Sequence, residues 1–333
     1  MTQNAQHRHT KLGLTDGEVI DIYQMMLRVR TLDERVWILN RQGKLPIVAS
    51  CQGHEAGQMG SLLAAKKYGD YFLFPYYRDL ALKMMAGVTS KQAMLSYFGK
   101  AGDQFSGGRQ FPLQGAFLDG QIIQISNVVG PNITQATGYA LASKLQGKPT
   151  VVFAYFGDGG SSTGDCHEAM NFSGIHSLPI IFICENNKFA ISVPQNKQMA
   201  INNVSDRASG YGLLGINIDG MDVLQVYDAT TQAINNATQG IPVLLELQVE
   251  RFLPHTSDDD DRRYRDKDLL EAARNRDPLL LLKNYVIESE LITDNQIDDI
   301  YSNIQSEIDE AMEEAEASPF PNPSSLRDYL FSK

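Results

Sequence analysis

From residue 14 to residue 39 the apolar side chains Val19, Ile22, Met26, Val29, Leu32, Val36 and Leu39 recur at spacings of three and four. That period predicts one long amphipathic helix. The segment opening at Gly53-His54-Glu55-Ala56 predicts a second helix and residues 91–98 a third, so the N-terminal third reads as mainly helical. Beyond Ile122 the pattern changes. Short continuous apolar runs at 150–156 and 179–184 alternate with helical segments at 133–145 and from about Asp165, as expected of a parallel sheet covered on both faces. Asp165 followed three residues later by Glu168 predicts a capping box at the start of its helix. Strand 215–218, helix 223–235 and strand 242–250 form a further unit, which places the predicted sheet within 122–250. A stripe of Ile297, Ile300, Ile304, Ile308 and Met312 marks a last long helix docked on the core. The predicted class is α/β, a mainly parallel sheet flanked by helices. One domain is expected, with a tail and helix at 1–50, a core at 51–265 and a C-terminal helical extension at 266–333.

Composition narrows the partners. With 333 residues, 43% hydrophobic and 21% charged, the chain reads as an ordinary globular protein large enough for a substantial core. A net charge of −11 argues against nucleic acid, which is bound by clustered Lys and Arg. No apolar run approaches the ~20 residues of a membrane span, and a cytosolic location is expected. Residues 1–11 are basic and free of acid, and read as a frayed terminus rather than an organelle address. Cys51, Cys166 and Cys184 lie far apart without a Cys-x-x-Cys, so buried free thiols are expected.

The candidate chemistry is concentrated in Gly157-Asp158-Gly159, followed after 26 residues by Asn186-Asn187. With strand, turn, helix and strand between them, two parallel strand ends are brought side by side. A carboxylate from one and an amide oxygen from the other are hard donors, suited to a magnesium-sized cation with sites left for phosphate oxygens. Strand carboxyl ends are where open α/β sheets bind ligands, and the helix starting near Asp165 adds unpaired amides there. Either half alone is ordinary turn punctuation. Pro75-Tyr76-Tyr77-Arg78-Asp79 offers a guanidinium and a hydroxyl to phosphate, although alone it reads as a surface pair of Arg78 with Asp79. His255-Thr256-Ser257, the run Asp258 to Asp261 and then Arg262-Arg263-Tyr264-Arg265 read as a mobile loop of solvated, mutually paired charges.

The Gly-Asp-Gly to Asn-Asn pairing resembles the thiamine-diphosphate motif. Together with Gly53 to Glu55, Tyr77 to Asp79, Gly107 to Gln110, Asp206 to Gly212 and the His255 loop, it makes the chain similar, over nearly its whole length, to bacterial alpha subunits of branched-chain 2-oxo acid dehydrogenases. The resemblance implies a thiamine-diphosphate-binding, transketolase-like fold. It implies Mg2+ held by the Asp158 carboxylate, the Asn187 side-chain oxygen and the Phe189 main-chain carbonyl. Cofactor contacts fall on Tyr77, Arg78, Val129, Asp158, Gly159, Gly160, Asn187 and His255, with His255 also catalytic in acyl transfer. Val128-Val129-Gly130 resembles the turn that meets the aminopyrimidine, and the end of a core strand is an equal reading of those residues.

The implied activity is oxidative decarboxylation of branched-chain 2-oxo acids, with acyl transfer to the lipoyl group of a transacylase. No second sheet domain of the required kind is evident in this chain, so the resemblance implies a beta subunit and an α2β2 assembly. Pyruvate and acetoin dehydrogenase alpha subunits are the near alternatives, and four consecutive aspartates favour the branched-chain type. Three departures stand out: Glu185 where animal relatives carry a diphosphate-binding arginine, Pro131-Asn132 in place of a potassium-binding Thr-Gln, and Thr256 in place of a phosphorylated serine. A nicotinamide-dependent oxidoreductase is disfavoured, because Ser162 occupies the third glycine position and Asp158 sits inside the turn.

Overall fold

The computed structural model describes residues 7–123, 128–328 and 330. Strands β1 (Tyr71–Phe74), β2 (Val151–Gly157), β3 (Ile180–Asn186), β4 (Leu214–Asp219) and β5 (Val243–Gln248) form one sheet in the order β1-β2-β3-β5-β4, all pairs parallel. Successive side chains point to opposite faces, so a strand buried on both sides is apolar throughout. Val151, Phe153 and Tyr155 of β2 and Ile181 and Ile183 of β3 enter one core. Their neighbours Val152, Ala154, Phe156, Ile180, Phe182 and Cys184 enter a second core on the other face.

The first core is closed by helices Asp16–Arg41, Glu55–Tyr68, Val223–Thr238 and Asp294–Ala317, and the second by Pro131–Leu145 and Gly164–His176. The long N-terminal helix starts at a complete capping box between Thr15 and Glu18. Helices Glu55–Tyr68 and Val223–Thr238 pack closely at Gly60, where a Cβ would lie 2.6 Å from the Val223 carbonyl oxygen. Cys51, Cys166 and Cys184 are free and buried, as expected. Among the described residues no helix is long and apolar enough to cross a membrane.

Four expectations are corrected. The sheet does not begin after Ile122: β1 lies in the supposedly helical N-terminal third and pairs in register with β2, Tyr71 opposite Val151. The helix near Asp165 is capped by Thr163, whose hydroxyl accepts from the Cys166 amide at 3.3 Å, because the chain turns helical already at Gly164. Val128-Val129-Gly130 is not a strand end but a bend into helix Pro131–Leu145, with Gly130 at φ 113. The N-terminal segment is not frayed over its described part. Residues Arg8–Lys11 make a helical turn, and fully buried His9 lies 2.7 Å from the Tyr285 hydroxyl and 2.8 Å from Asp16.

Candidate active site

Gly157 pairs with Glu185 across β2 and β3, so Asp158 and Asn187 leave the sheet at neighbouring carboxyl ends. Both open into a cleft of about 460 Å³. Tyr77, Arg78, Val129, Asp158, Gly159, Gly160, Asn187, Phe189 and His255 all line it, so every site residue expected from sequence is brought to one place. Thr163, at the start of helix Gly164–His176, lines it as well. Gly160 sits where a Cβ would come within 3.3 Å of Val129, which keeps the turn close to the cleft wall.

Asp158 is 1% exposed, and its Oδ2 accepts from Gln198 Nε2 at 3.0 Å. Burial pushes its carboxyl up to about 6. The two asparagines divide their work. Asn186 is a turn residue, its Oδ1 accepting from the Lys188 amide at 2.9 Å and its Nδ2 donating to Glu246 at 2.6 Å. Asn187 faces the cleft, with Oδ1 accepting from the Phe189 amide at 3.3 Å. Lys188 (φ 67) and Ile191 (φ 57) flank Phe189-Ala190 in the left-handed region, which is costly for side-chain-bearing residues and concentrates at functional sites.

Arg78 is no surface pair with Asp79, because both are buried. Arg78 donates to the Ser50 carbonyl at 2.8 Å and to the His255 carbonyl at 3.1 Å, and its Nη2 lies 3.2 Å from His255 Nδ1. Asp79 instead accepts from the Tyr76 amide at 2.7 Å, and burial holds its carboxyl well above the usual range. Arg251, absent from the sequence reading, comes to the same nitrogen of His255 at 3.3 Å and donates to the Ile191 carbonyl and the Tyr264 hydroxyl. Two buried guanidiniums thus converge on His255, and among the described residues neither is ion-paired with a carboxylate. Burial, then Arg78 and Arg251, push the imidazole from 6.5 down to about 3. Both guanidiniums donate to Nδ1, so the ring proton sits on Nε2.

The loop after His255 also differs from its expected form. Asp260 pairs with exposed Arg262 at 2.6 Å, as expected of solvated charges, whereas the Asp261–Arg265 pair at 3.3 Å is largely buried. Asp259, however, accepts the His255 amide at 2.8 Å and the Tyr264 hydroxyl. Asp259 therefore ties the loop to its own base, because it satisfies a backbone amide and the tyrosine that holds Arg251.

Three contributors were not found in the sequence. Gln198 and Arg251 lie outside the motif and reach it only through tertiary folding. His54 falls in the segment Gly53 to Glu55 that carries part of the resemblance but was given no role, yet its Nδ1 is 2.7 Å from Glu185 and its Nε2 3.4 Å from Asn187. Asn132, at the position of the absent potassium ligand, donates to the carbonyls of Phe74 and Tyr155 and so ties strand ends together.

The sequence profile of the dehydrogenase E1 component family matches residues 23–324. The chain belongs to this family. The chain is 45% identical over 98% of its length to the 2-oxoisovalerate dehydrogenase subunit alpha of Bacillus subtilis, covering 99% of that protein. It is 36% identical over 96% of its length to the pyruvate dehydrogenase E1 component subunit alpha of Staphylococcus aureus, covering 83% of that protein. Against the corresponding subunit of Bacillus cereus it is 35% identical over 96% of its length, covering 84%.

Proposed function

We propose that this chain is the alpha subunit of a branched-chain 2-oxo acid dehydrogenase that binds thiamine diphosphate and Mg2+ in the cleft at the ends of β2 and β3. The observation that carries the reading is the meeting, in one cleft, of Asp158 and Asn187 with His255 and the two buried guanidiniums converging on it, neither of which, among the described residues, is ion-paired with a carboxylate. Such charges are stable when an anion completes them, and a diphosphate is an anion of the right valence. The donor set fits the cation too. Among the described residues no cluster of three or more His, Cys, Asp or Glu exists to hold a metal. One carboxylate, one amide oxygen and one main-chain carbonyl leave a divalent ion to draw further ligands from phosphate and water.

When bound, the thiazolium supplies the electron sink that decarboxylation of a 2-oxo acid requires and no side chain provides. The protein's part is placement. Asp158, Asn187 and the Phe189 carbonyl hold the cation; Arg78 and the Tyr77 hydroxyl hold diphosphate oxygens. Val129, Gly159 and Gly160 shape the wall. His255, with its proton on Nε2 and its Nδ1 fixed by Arg78 and Arg251, offers a hydrogen-bond donor at the reacting end and steers acyl transfer to a lipoyl group. Exposed Val128 (66%), Val129 (45%) and Ile191 (55%) line the cleft and suit a covering beta subunit, which brings the pyrimidine-binding half.

A smaller cavity of about 180 Å³ shares Tyr77 and His255 with the cleft and is walled by Ile47, Ala49, Phe111 and Leu113. Its apolar lining favours a branched aliphatic side chain over the methyl of pyruvate. Co-expression with its beta subunit, followed by assay of 2-oxo acids with an artificial electron acceptor, tests this; faster turnover of pyruvate than of the oxo acids of valine, leucine and isoleucine contradicts it. In the same assembly, Asp158→Ala is expected to abolish Mg2+-dependent binding of thiamine diphosphate by calorimetry. Unchanged affinity removes the proposed site.

A further inference from the structure

Glu185 stands where animal relatives carry an arginine on the diphosphate, and an acid there is unfavourable to an anion unless it does something else. It does not line the cleft. Its side chain is fully buried beneath it, and one oxygen, Oε2, accepts from three donors: His54 Nδ1 at 2.7 Å, Gln58 Nε2 at 3.1 Å and the Tyr76 hydroxyl at 3.1 Å. The other oxygen has no hydrogen-bond partner among the described residues. His54, also fully buried, turns its second nitrogen to Asn187 Nδ2 at 3.4 Å.

We propose that Glu185 and His54 are positioning residues that decide which end of the Asn187 amide faces the cation. The inference rests on Asn187 being a cation ligand. A primary amide has two ends of nearly equal size, of which only the oxygen can ligate a hard cation. Because the Glu185 carboxylate accepts from Nδ1, the His54 proton is drawn to that nitrogen and Nε2 is left as an acceptor. Only the NH2 end of Asn187 satisfies an acceptor. The oxygen is thereby turned the other way, where it accepts from the Phe189 amide. The relay has the form of the carboxylate–histidine supports that orient metal ligands elsewhere, here acting on an amide and through its donor end.

The test reads cation affinity rather than turnover. In the reconstituted αβ enzyme with saturating thiamine diphosphate, Mn2+ binding is measured by electron paramagnetic resonance for the wild type, His54→Phe, His54→Gln, Glu185→Leu and the His54→Phe/Glu185→Leu double variant. Removing either member is expected to weaken Mn2+ by about 10–100-fold. The double variant is expected to be no weaker than the poorer single one, since both break one chain of bonds. His54→Gln, which keeps one donor and one acceptor end, is expected to stay near the wild type. Unchanged affinity in His54→Phe, or losses that add in the double variant, overturns the relay. Should His54→Phe fail to assemble, Glu185→Leu carries the same expectation, and should that fail too, His54→Asn, too short to bridge both partners, carries it. Asp158→Asn separates the two ideas: if it leaves Mn2+ binding intact, the cation site itself is wrong, whereas loss there with intact binding in the His54 variants sinks only the relay.

Discussion

At the scale of single residues, burial acts on charge in two opposite ways, at Arg30 and at His255. Arg30 joins Glu55, fully buried at the start of helix Glu55–Tyr68, to Asp277 at the start of helix Pro278–Glu288, with N–O distances of 2.7 Å to each. Glu55 also accepts from the Gly53 amide, so this acid shapes the loop that carries His54. Arg30→Met strands Glu55 without a counter-ion and is expected to cost about 3–5 kcal/mol by chemical denaturation. His255 is the opposite case, a group held away from its charged form. Between its ordinary 6.5 and about 3, the unfolded chain takes up a proton that the folded chain refuses, so this contribution is complete above 6.5 and is lost as pH falls through that window. The melting temperature of the wild type is expected to fall more steeply over pH 6.5 to 3 than that of His255→Gln; parallel curves contradict the assignment.

At the scale of elements, the strands of the sheet's centre were legible because both faces are covered, which makes the runs 150–156 and 179–184 apolar without a break. β1 was not legible. Its four residues, Tyr71–Phe74, are as compatible with a buried helix turn as with a strand, and only pairing with β2 decides between them. The cap at Thr163 was missed for a similar reason: Asp165 and Glu168 fit the pattern, but the helix begins before them at Gly164. Close packing was equally invisible. Gly60 is an ordinary helical glycine in sequence, and its role lies in Val223, across an interface. Gly60→Ala gains about 1 kcal/mol in helix propensity but overpacks by about 1–3 kcal/mol, and is expected to lower the melting temperature.

At the scale of the whole molecule, the cleft is built to need its ligands together. The proposed cation would take one carboxylate, Asp158, from this chain, and among the described residues neither Arg78 nor Arg251 is ion-paired with a carboxylate. Thiamine diphosphate and Mg2+ added jointly at a hundred times their dissociation constant are expected to stabilise the αβ assembly by about 2.7 kcal/mol. Either alone is expected to give much less, and equal shifts from each separately would count against a shared site.

The motif that names the chemistry was fixed along the chain. Gly157-Asp158-Gly159 and Asn186-Asn187 sit at turns, where residue type follows from local backbone and ligand demands, and local demands can be read in one dimension. What holds those residues in place could not be read there. Gln198 on Asp158, Arg251 on His255 and Glu185 with His54 behind Asn187 are separated by 40, 4 and 131 positions from the groups they serve or join. The short separation of Arg251 was no help, since its direction depends on where β5 ends. Sequence singled out groups that the fold brings into one cleft. The folded sheet, by laying β2 beside β3 and helix Glu55–Tyr68 beneath them, decided how they are aimed, because orientation comes from contacts between segments and not from spacing within one.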